Sequence, residues 1–245
     1  VTGEGGRIYT IAPPGETVWT SRYSTGSTFD IHGVASNGTN FVGVGQDFSL
    51  TSSDGTTWTE NAQVSKNMRS IAHTGSQYVA VGGAVWKSPD GVTWTEVLAP
   101  FPSGTMLNRV AWSGTYLVAV GSDGTAGNSH IQVSETGDTW VKKTLAVGSN
   151  KPLRGVAFVG GLFVAVGDGG AVQTSPDFGN NWTKRQVALL AGENFTDVVF
   201  GANLFIAVTN KGGVWTSPNG TAWTKRKASS AKGLNRVIVV GPQII

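Results

Sequence analysis

Short apolar runs alternate with glycine-rich turns along the whole chain, which indicates antiparallel strands rather than helices. The clearest unit, residues 153–185, reads LRGVAF, LFVAVG, AVQTS and NWTKR, with VGG, DGG and PDFGN between these runs. The second run is apolar at successive positions, as expected of a strand covered on both faces. The pattern therefore predicts four consecutive antiparallel strands, A to D.

The same frame recurs, and each copy closes with a polar, glycine-containing turn that leads into a tryptophan. These tryptophans are spaced 39, 36, 46, 42 and 41 residues apart, which is typical of four-stranded propeller blades. We expect them to pack between sheets. They are Trp19, Trp58, Trp94, Trp140, Trp182 and Trp223. The predicted blades are 30–60, 69–97, 108–143, 154–185 and 196–226.

The two ends of the chain supply the parts of one further blade. LNRVIVVG at 234–241 repeats LNRVAWSG at 107–114, and GEGGRIYT at 3–10 matches GDGGAVQT at 167–174. Residues 235–245 and 1–22 would then form a shared closing blade, with Val1 and Ile245 meeting inside one strand. The predicted fold is a single all-β domain over 1–245, a six-bladed β-propeller of four-stranded antiparallel blades.

Composition narrows the chemistry available to this fold. The chain has 35 glycines among 245 residues, no cysteine and a formal net charge of +3, so thiolate catalysis and disulfides are excluded. No apolar stretch is long enough for membrane insertion. Basic residues follow the later repeat tryptophans without interleaved exposed aromatics, so we expect no nucleic-acid partner. His32, His73 and His130 fall in different repeats without ligand spacing, and we expect no metal or cofactor.

One polar position opens strand A of every repeat, among apolar neighbours. Arginine and asparagine there would offer directed donors to carboxylates and sugar hydroxyls. The alternative is that pore-facing positions are polar and hydrated in any propeller. The candidate ligand-binding residues at the expected channel mouth are His32, Arg69, Asn108, Arg154, Thr196 and Asn235.

The turns carry a recognisable motif. Residues 175–182, SPDFGNNW, match the Asp-box S-x-D-x-G-x-x-W, and versions one residue shorter precede Trp58, Trp94 and Trp223. The chain thus resembles Asp-box (BNR-repeat) propellers of the sialidase type. That resemblance implies six blades and, for a sialidase, three arginines, a tyrosine paired with a glutamate, and a further acid.

The sequence matches this catalytic set only in part. Four arginines lie near the start of strand A in their repeats: Arg69, Arg109, Arg154 and Arg236. The alignment of the repeats, however, places no tyrosine beside a glutamate. We therefore expect no catalytic residues and no enzymatic activity.

The SPDG-x-x-WT turns together with VAVG strands resemble Asp-box-like propellers of bacterial surface proteins and tailed-phage virion proteins. The resemblance implies a structural or attachment component of a virion or cell exterior, for example a phage tail or capsid decoration. Its partners would be other virion or surface proteins, or glycans. The alternative is a soluble glycan-binding lectin, and a sialidase-like hydrolase is the third candidate.

Overall fold

Strands account for nearly all regular structure in this chain. The computed structural model describes residues 2–3, 7–11, 19–24, 30–98, 101–124, 127–146, 148, 150–230, 232–240 and 243–244. Within these ranges the only helical element is a 3-10 turn at Asp168–Gly170. The all-β class is thus confirmed. By contacts the chain divides into two compact units, Val1–Phe101 and Pro102–Ile245, and the predicted single domain stays a prediction.

The unit Val1–Phe101 contains a three-stranded sheet, ordered β1-β2-β3, and a six-stranded sheet, ordered β4 to β9, both antiparallel. The strands are β1 (Thr2–Gly3), β2 (Arg7–Ile11), β3 (Trp19–Ser24), β4 (Ile31–Ser36), β5 (Phe41–Ser52), β6 (Thr59–His73), β7 (Tyr78–Gly82), β8 (Val85–Ser88) and β9 (Thr95–Leu98).

The unit Pro102–Ile245 contains three four-stranded antiparallel sheets in sequential order and a short hairpin. The first sheet is β10 (Met106–Trp112), β11 (Leu117–Ser122), β12 (Ser129–Ser134) and β13 (Val141–Lys142); the second is β14 (Leu153–Val159), β15 (Leu162–Gly167), β16 (Ala171–Ser175) and β17 (Thr183–Gln186); the third is β18 (Phe195–Gly201), β19 (Leu204–Thr209), β20 (Val214–Ser217) and β21 (Thr224–Lys227); the hairpin is β22 (Val239–Val240) and β23 (Gln243–Ile244). These three sheets match the predicted strands A to D at 108–143, 154–185 and 196–226.

No break in the strand separates the predicted blades at 30–60 and 69–97. There β6 runs without interruption from Thr59 to His73, pairing first with β5 and then with β7. The segment NAQVSKN at 61–67 has neither glycine nor proline, whereas the connections at 99–105, 144–152 and 228–233 each contain one or both. Without such a residue the backbone stays extended from one repeat into the next.

The C-terminal hairpin keeps the register that the repeat predicts. Val239 pairs with Ile244 and Val240 with Gln243, just as Phe158 pairs with Phe163 and Val159 with Leu162 in the second four-stranded sheet. Val1 and Ile245, the predicted meeting point of the chain ends, lie outside the described residues.

In four repeats the second strand is buried along most of its length. All five residues of β7 are buried, and so are the central residues of β11, β15 and β19, whereas β17 and β21 are exposed at every residue. The apolar runs of the sequence therefore become the middle of the core, as strands covered on both faces must.

The Asp-box turns are held by short side chains that bond their own backbone. In the turn at 52–58, the Asp54 carboxylate accepts hydrogen bonds from the amides of Thr57 and Thr56 at 2.7 and 2.8 Å, which lower the pKa of Asp54 well below its usual value. The Trp58 indole donates to the carbonyl of Gly55 at 3.2 Å. Asn219 makes the same amide bonds in its own turn, so geometry rather than charge defines the motif.

The glycines of three of these turns also contact the neighbouring repeat. Gly220 has φ 73°, and a Cβ there would lie 2.5 Å from a methyl of Val164 on β15. Gly179 meets Val118 and Val133 in the same way, and Gly91 meets Val42. The turn thus closes the space between consecutive sheets as well as reversing the chain.

Replacing Gly220 by alanine tests this double role. We expect Gly220→Ala to lower the free energy of unfolding by roughly 1–3 kcal/mol more than Gly192→Ala, because only Gly220 adds overpacking to left-handed strain. Gly192 is a matched control, with φ 69° and its nearest contact the far end of Lys211 at 3.7 Å. Urea unfolding of both variants measures the difference, and equal losses would contradict the inter-sheet contact.

Candidate functional site

Five of the six predicted ligand-binding residues are the extra residues of β-bulges. In each case the pairing of the first and second strands skips one residue near the start of the first strand. A bulge re-aims the side chain of the skipped residue, which explains a polar side chain among apolar neighbours. The skipped residues are His32, Arg69, Asn108, Arg154 and Thr196, while Asn235 is exposed in the segment before β22.

Three of these bulge side chains bond the backbone of the next repeat. In each bond the acceptor is the backbone carbonyl of one residue in the next repeat. That residue directly precedes the predicted ligand-binding residue of its repeat. The pairs are His32 Nδ1 with Met68 O at 2.9 Å, Asn108 Nδ2 with Leu153 O at 2.8 Å, and Thr196 Oγ1 with Leu234 O at 2.6 Å. These side chains link successive first strands, and their role in ligand binding stays a prediction.

Arg154 has a different partner. Its Nε and Nη2 donate to the two carboxylate oxygens of Asp168 at 2.9 and 2.8 Å, and these hydrogen bonds raise the pKa of Arg154. The arginine side chain is 41% exposed, so this pair lies close to solvent.

The charged centre of the unit Pro102–Ile245 is formed by residues that come directly after members of the predicted ligand-binding set. Arg109 Nη2 donates to Asp197 Oδ2 at 2.7 Å, and Arg236 Nη1 lies 4.0 Å from Asp197 Oδ1. The Asp197 side chain is fully buried, whereas those of Arg109 and Arg236 are 21% and 34% exposed. Two guanidinium groups therefore converge on one carboxylate and reach solvent beside it.

Small residues at the same frame position make this convergence possible. Asp197 is on β18 and Arg109 on β10, and β14 between them carries Gly155. A Cβ at Gly155 would lie 2.8 Å from the Val198 amide nitrogen and 2.9 Å from Asp197 Cα. The Val237 amide also donates to Asp197 Oδ2 at 3.2 Å, so the carboxylate fastens the C-terminal segment as well.

The electrostatic balance of this cluster favours an added anion. Burial and the charge of Arg109 lower the pKa of Arg236 to about 10, and Asp197 opposes the shift. Two guanidinium groups and one carboxylate give the three side chains a formal excess of one positive charge. Asp197 Oδ1 has no hydrogen-bond donor within the described ranges.

Sequence reasoning found the two arginines of this site but missed Asp197. The signal lies in the aligned repeats: the position after the predicted ligand-binding residue is Gly33, Ser70 and Gly155 in three repeats, and arginine, aspartate and arginine in the others. Opposite charges at one aligned position of different repeats indicate that these side chains form an ion pair.

Two tyrosine–glutamate pairs were also missed. Tyr23 donates to Glu60 at 2.7 Å, and burial together with this bond raises the pKa of Tyr23 to about 12. A hydrogen bond to Glu135 and its negative charge raise the pKa of Tyr116. In both pairs the tyrosine and the glutamate come from separate strands or turns. The alignment of the sequence repeats does not place such residues side by side.

His130 is buried on β12. The residue is 3% exposed, and its Nε2 lies 3.0 Å from the side-chain nitrogen Nε2 of Gln132. Burial and the charge of Lys142 lower the pKa of His130 to about 4, while Asp123 opposes them. The imidazole is therefore neutral at physiological pH.

The described part of the chain offers neither a metal site nor a membrane-spanning helix. It contains no group of three or more histidine, cysteine, aspartate or glutamate side chains placed to hold a metal ion. Among the same residues, no helix has the length and apolar character of a membrane span.

Comparison with known proteins shows the fold. No protein-family model matches the chain, and no curated protein matches it either. A structure of YCF48 bound to a D1 peptide aligns with TM-score 0.72 at 18% identity, over 98% of this chain and 82% of that one. YCF48 from Cyanidioschyzon merolae aligns with TM-score 0.68 at 15% identity, over 94% and 81%.

An enzyme is also among the similar structures. The GH74 xyloglucanase from Xanthomonas campestris aligns with TM-score 0.62 at 16% identity, over 81% of this chain and 38% of that one. Identities this low show the fold alone. The fold is that of a β-propeller, which confirms the predicted architecture, and the number of blades stays a prediction.

Removal of the buried carboxylate should destabilise the protein far more than removal of the exposed one. We expect Asp197→Asn to lower the free energy of unfolding by about 3 kcal/mol, because two guanidinium groups then face each other without a counter-charge. Asp168→Asn, the control, should cost less than about 1 kcal/mol because its pair with Arg154 is near solvent. Equal effects in chemical unfolding would contradict the assigned role of Asp197.

The buried histidine should make stability depend on pH. The unfolded state takes up a proton near the ordinary histidine pKa, whereas folded His130 does so only at a pKa of about 4. Stability therefore falls as pH drops from about 7 to about 4, by about 3 kcal/mol from this residue. His130→Ala should remove that part of the fall, and His73→Ala, at a more exposed site, should remove less. Thermal unfolding across this range provides the measurement, and a slope unchanged in His130→Ala would refute the assignment.

Proposed function

We propose that this chain is a non-catalytic binding propeller that acts as an attachment component and captures an anionic group at Arg109 and Arg236. The observation that carries the proposal is the convergence of two partly exposed guanidinium groups on one buried carboxylate. The trio has an excess positive charge beside solvent, and an incoming carboxylate would neutralise it.

The geometry suits a carboxylate. Guanidinium groups bind carboxylates through paired, charge-assisted hydrogen bonds, and half-buried surroundings strengthen such bonds relative to water. Asp197 holds Arg109 at 2.7 Å and thereby fixes one side of the site before the ligand arrives. Preorganisation of this kind lowers the entropy lost on binding.

The partner we favour is an acidic segment of another protein. The structurally similar YCF48 is known in a complex with a peptide, which supports peptide capture by a propeller of this size. The virion or cell-exterior setting, and partners there, remain predictions from the Asp-box resemblance. A sialylated glycan, which also carries a carboxylate, is the alternative ligand.

Six blades are part of the same proposal. The three four-stranded sheets, the two repeats joined within β4–β9, and the hairpin register at 239–244 all follow one frame. These features support six repeats of the four-stranded unit.

The arrangement of acids supports a non-catalytic role. Asp197 is already engaged by Arg109 and by a backbone amide, which suits a structural counter-charge better than a proton donor. Tyr116 and Glu135 lie in the turns that follow β10 and β12, whereas Arg109 is the central residue of β10. A sialidase-like hydrolase would need a tyrosine–glutamate pair beside the arginines.

Calorimetric titration with defined peptides tests the proposal. We expect a short Asp- and Glu-rich peptide to bind, its Asn and Gln counterpart not to bind, and added salt to weaken binding. Arg236→Gln should weaken it at least tenfold, about 1.4 kcal/mol. Arg185→Gln on the exposed strand β17 is the control, because it removes the same charge elsewhere.

The outcomes separate the candidates. Absence of acidic-peptide binding, or binding unchanged in Arg236→Gln, would overturn the proposal. Sialyllactose binding that depends on Arg236 while the acidic peptide fails would establish the glycan alternative. Turnover of a fluorogenic sialoside that is lost in Arg236→Gln would establish the hydrolase.

A further inference from the structure

An aromatic residue occupies a strained and exposed position in the longest Asp-box turn. The turn at 175–182 has one residue more than those before Trp58, Trp94 and Trp223, and the residue inserted between Asp177 and Gly179 is Phe178. Phe178 has φ 58° and is 40% exposed. A bulky residue in the left-handed region carries strain, and an observed outlier of this kind points to function.

Phe178 belongs to a shelf of three rings, Tyr116, Phe158 and Phe178. The Phe178 ring lies 5.6 Å from Tyr116 and 6.1 Å from Phe158, inclined by 34° and 32°. Phe158 in turn contacts Phe163 at 4.6 Å, and Phe163 is fully buried. The shelf is therefore anchored in the core while its outer ring faces solvent, so it is fixed before any ligand binds.

A cavity with both polar and apolar lining residues adjoins the shelf. It has a volume of about 360 Å³ and is lined by Tyr116, Glu135, Thr136, Lys143 and Asn180, among others. Lys143 Nζ donates to Asn180 Oδ1 at 3.1 Å, and Tyr116 hydrogen-bonds Glu135. The volume lies within the range of small-molecule sites, and the lining supplies donors and acceptors in alternation.

The chemistry of this surface selects a neutral ligand with one apolar face. Glu135 and Lys143 carry opposite charges, so the cavity does not favour an ionic group. The exposed apolar area, essentially Phe178 and Val141, is far below the roughly 800 Å² that each partner of a stable protein interface buries. A sugar ring presents a flat C–H face for the aromatic rings and a rim of hydroxyls that both donate and accept.

We propose that this shelf, defined by Tyr116, Phe158 and Phe178, together with its adjoining cavity is a binding subsite for a neutral pyranose. One face of the sugar stacks on Phe178 and Tyr116, and its hydroxyls bond Glu135, Lys143 and Asn180. This subsite is separate from the arginine pair and does not depend on the proposed binding of an anion.

Saturation-transfer NMR with methyl glucoside, methyl galactoside, methyl mannoside and their disaccharides tests the subsite. We expect millimolar binding, with the strongest transfer to the protons of one ring face. Phe178→Asn should weaken it more than tenfold while leaving thermal stability unchanged or higher, because asparagine accepts the left-handed backbone better than phenylalanine. Phe178→Trp should retain binding.

Matched variants show whether the shelf itself is responsible for the binding. Leu190→Asn removes an apolar side chain that is 58% exposed elsewhere on the same unit and should leave binding intact. Arg236→Gln should also leave it intact, so failure of the acidic-ligand proposal and failure of this one can be told apart.

Three results would overturn the proposal. The first is no transfer to any of these sugars at millimolar concentration, and the second is binding unchanged in Phe178→Asn. The third is Phe178-dependent binding of an apolar peptide without sugar binding, which would assign the shelf to a protein partner instead.

Discussion

The structure depends on one constraint: the second strand of each repeat is apolar on both faces and has to be covered from both sides. A strand such as β7, buried at every residue, is stable only between two neighbouring sheets. The Asp-box turn also helps to cover these strands. Its glycine lies against a valine of the adjacent sheet, and its tryptophan fills the space beside that contact. Gly220 and Gly179 therefore disfavour any side chain for two reasons. A Cβ would collide with a valine methyl group, and the backbone has a positive φ.

The same close packing of sheets creates the charged site. First strands approach each other so closely that Gly155 has no room for a side chain, and Arg109 reaches past it to Asp197. Three of the bulges turn a polar side chain toward the next repeat, where His32, Asn108 and Thr196 bond backbone carbonyl groups. Three of the predicted ligand-binding residues thus link successive repeats through hydrogen bonds. The arginines of the proposed anion site, Arg109 and Arg236, each lie one residue after a predicted position.

Two surfaces of the unit Pro102–Ile245 differ in chemistry. The arginine pair has excess positive charge and directed donors, which suit a carboxylate, whereas the Phe178 shelf is neutral and flat, which suits a sugar ring. Both are built from side chains of successive repeats on a rigid framework. The two proposed sites would hold one ligand by charge and another by stacking, as the proposed attachment role requires.

The sequence by itself determined the repeat, the strands and the turn chemistry, because these follow from local properties: alternating apolar runs, glycines at positive φ, and Asx side chains that bond their own turn. It also placed Arg109 and Arg236 at equivalent positions of two repeats. Only the tertiary structure decided that Asp197, 88 residues from Arg109, would lie between them, and that Phe178 would meet Tyr116 and Phe158. Such contacts depend on the spacing and register of neighbouring sheets, which no local propensity specifies. The continuity of β6 was missed for a related reason, since a strand ends where turn residues or tertiary packing stop it and the 61–67 segment contains neither glycine nor proline.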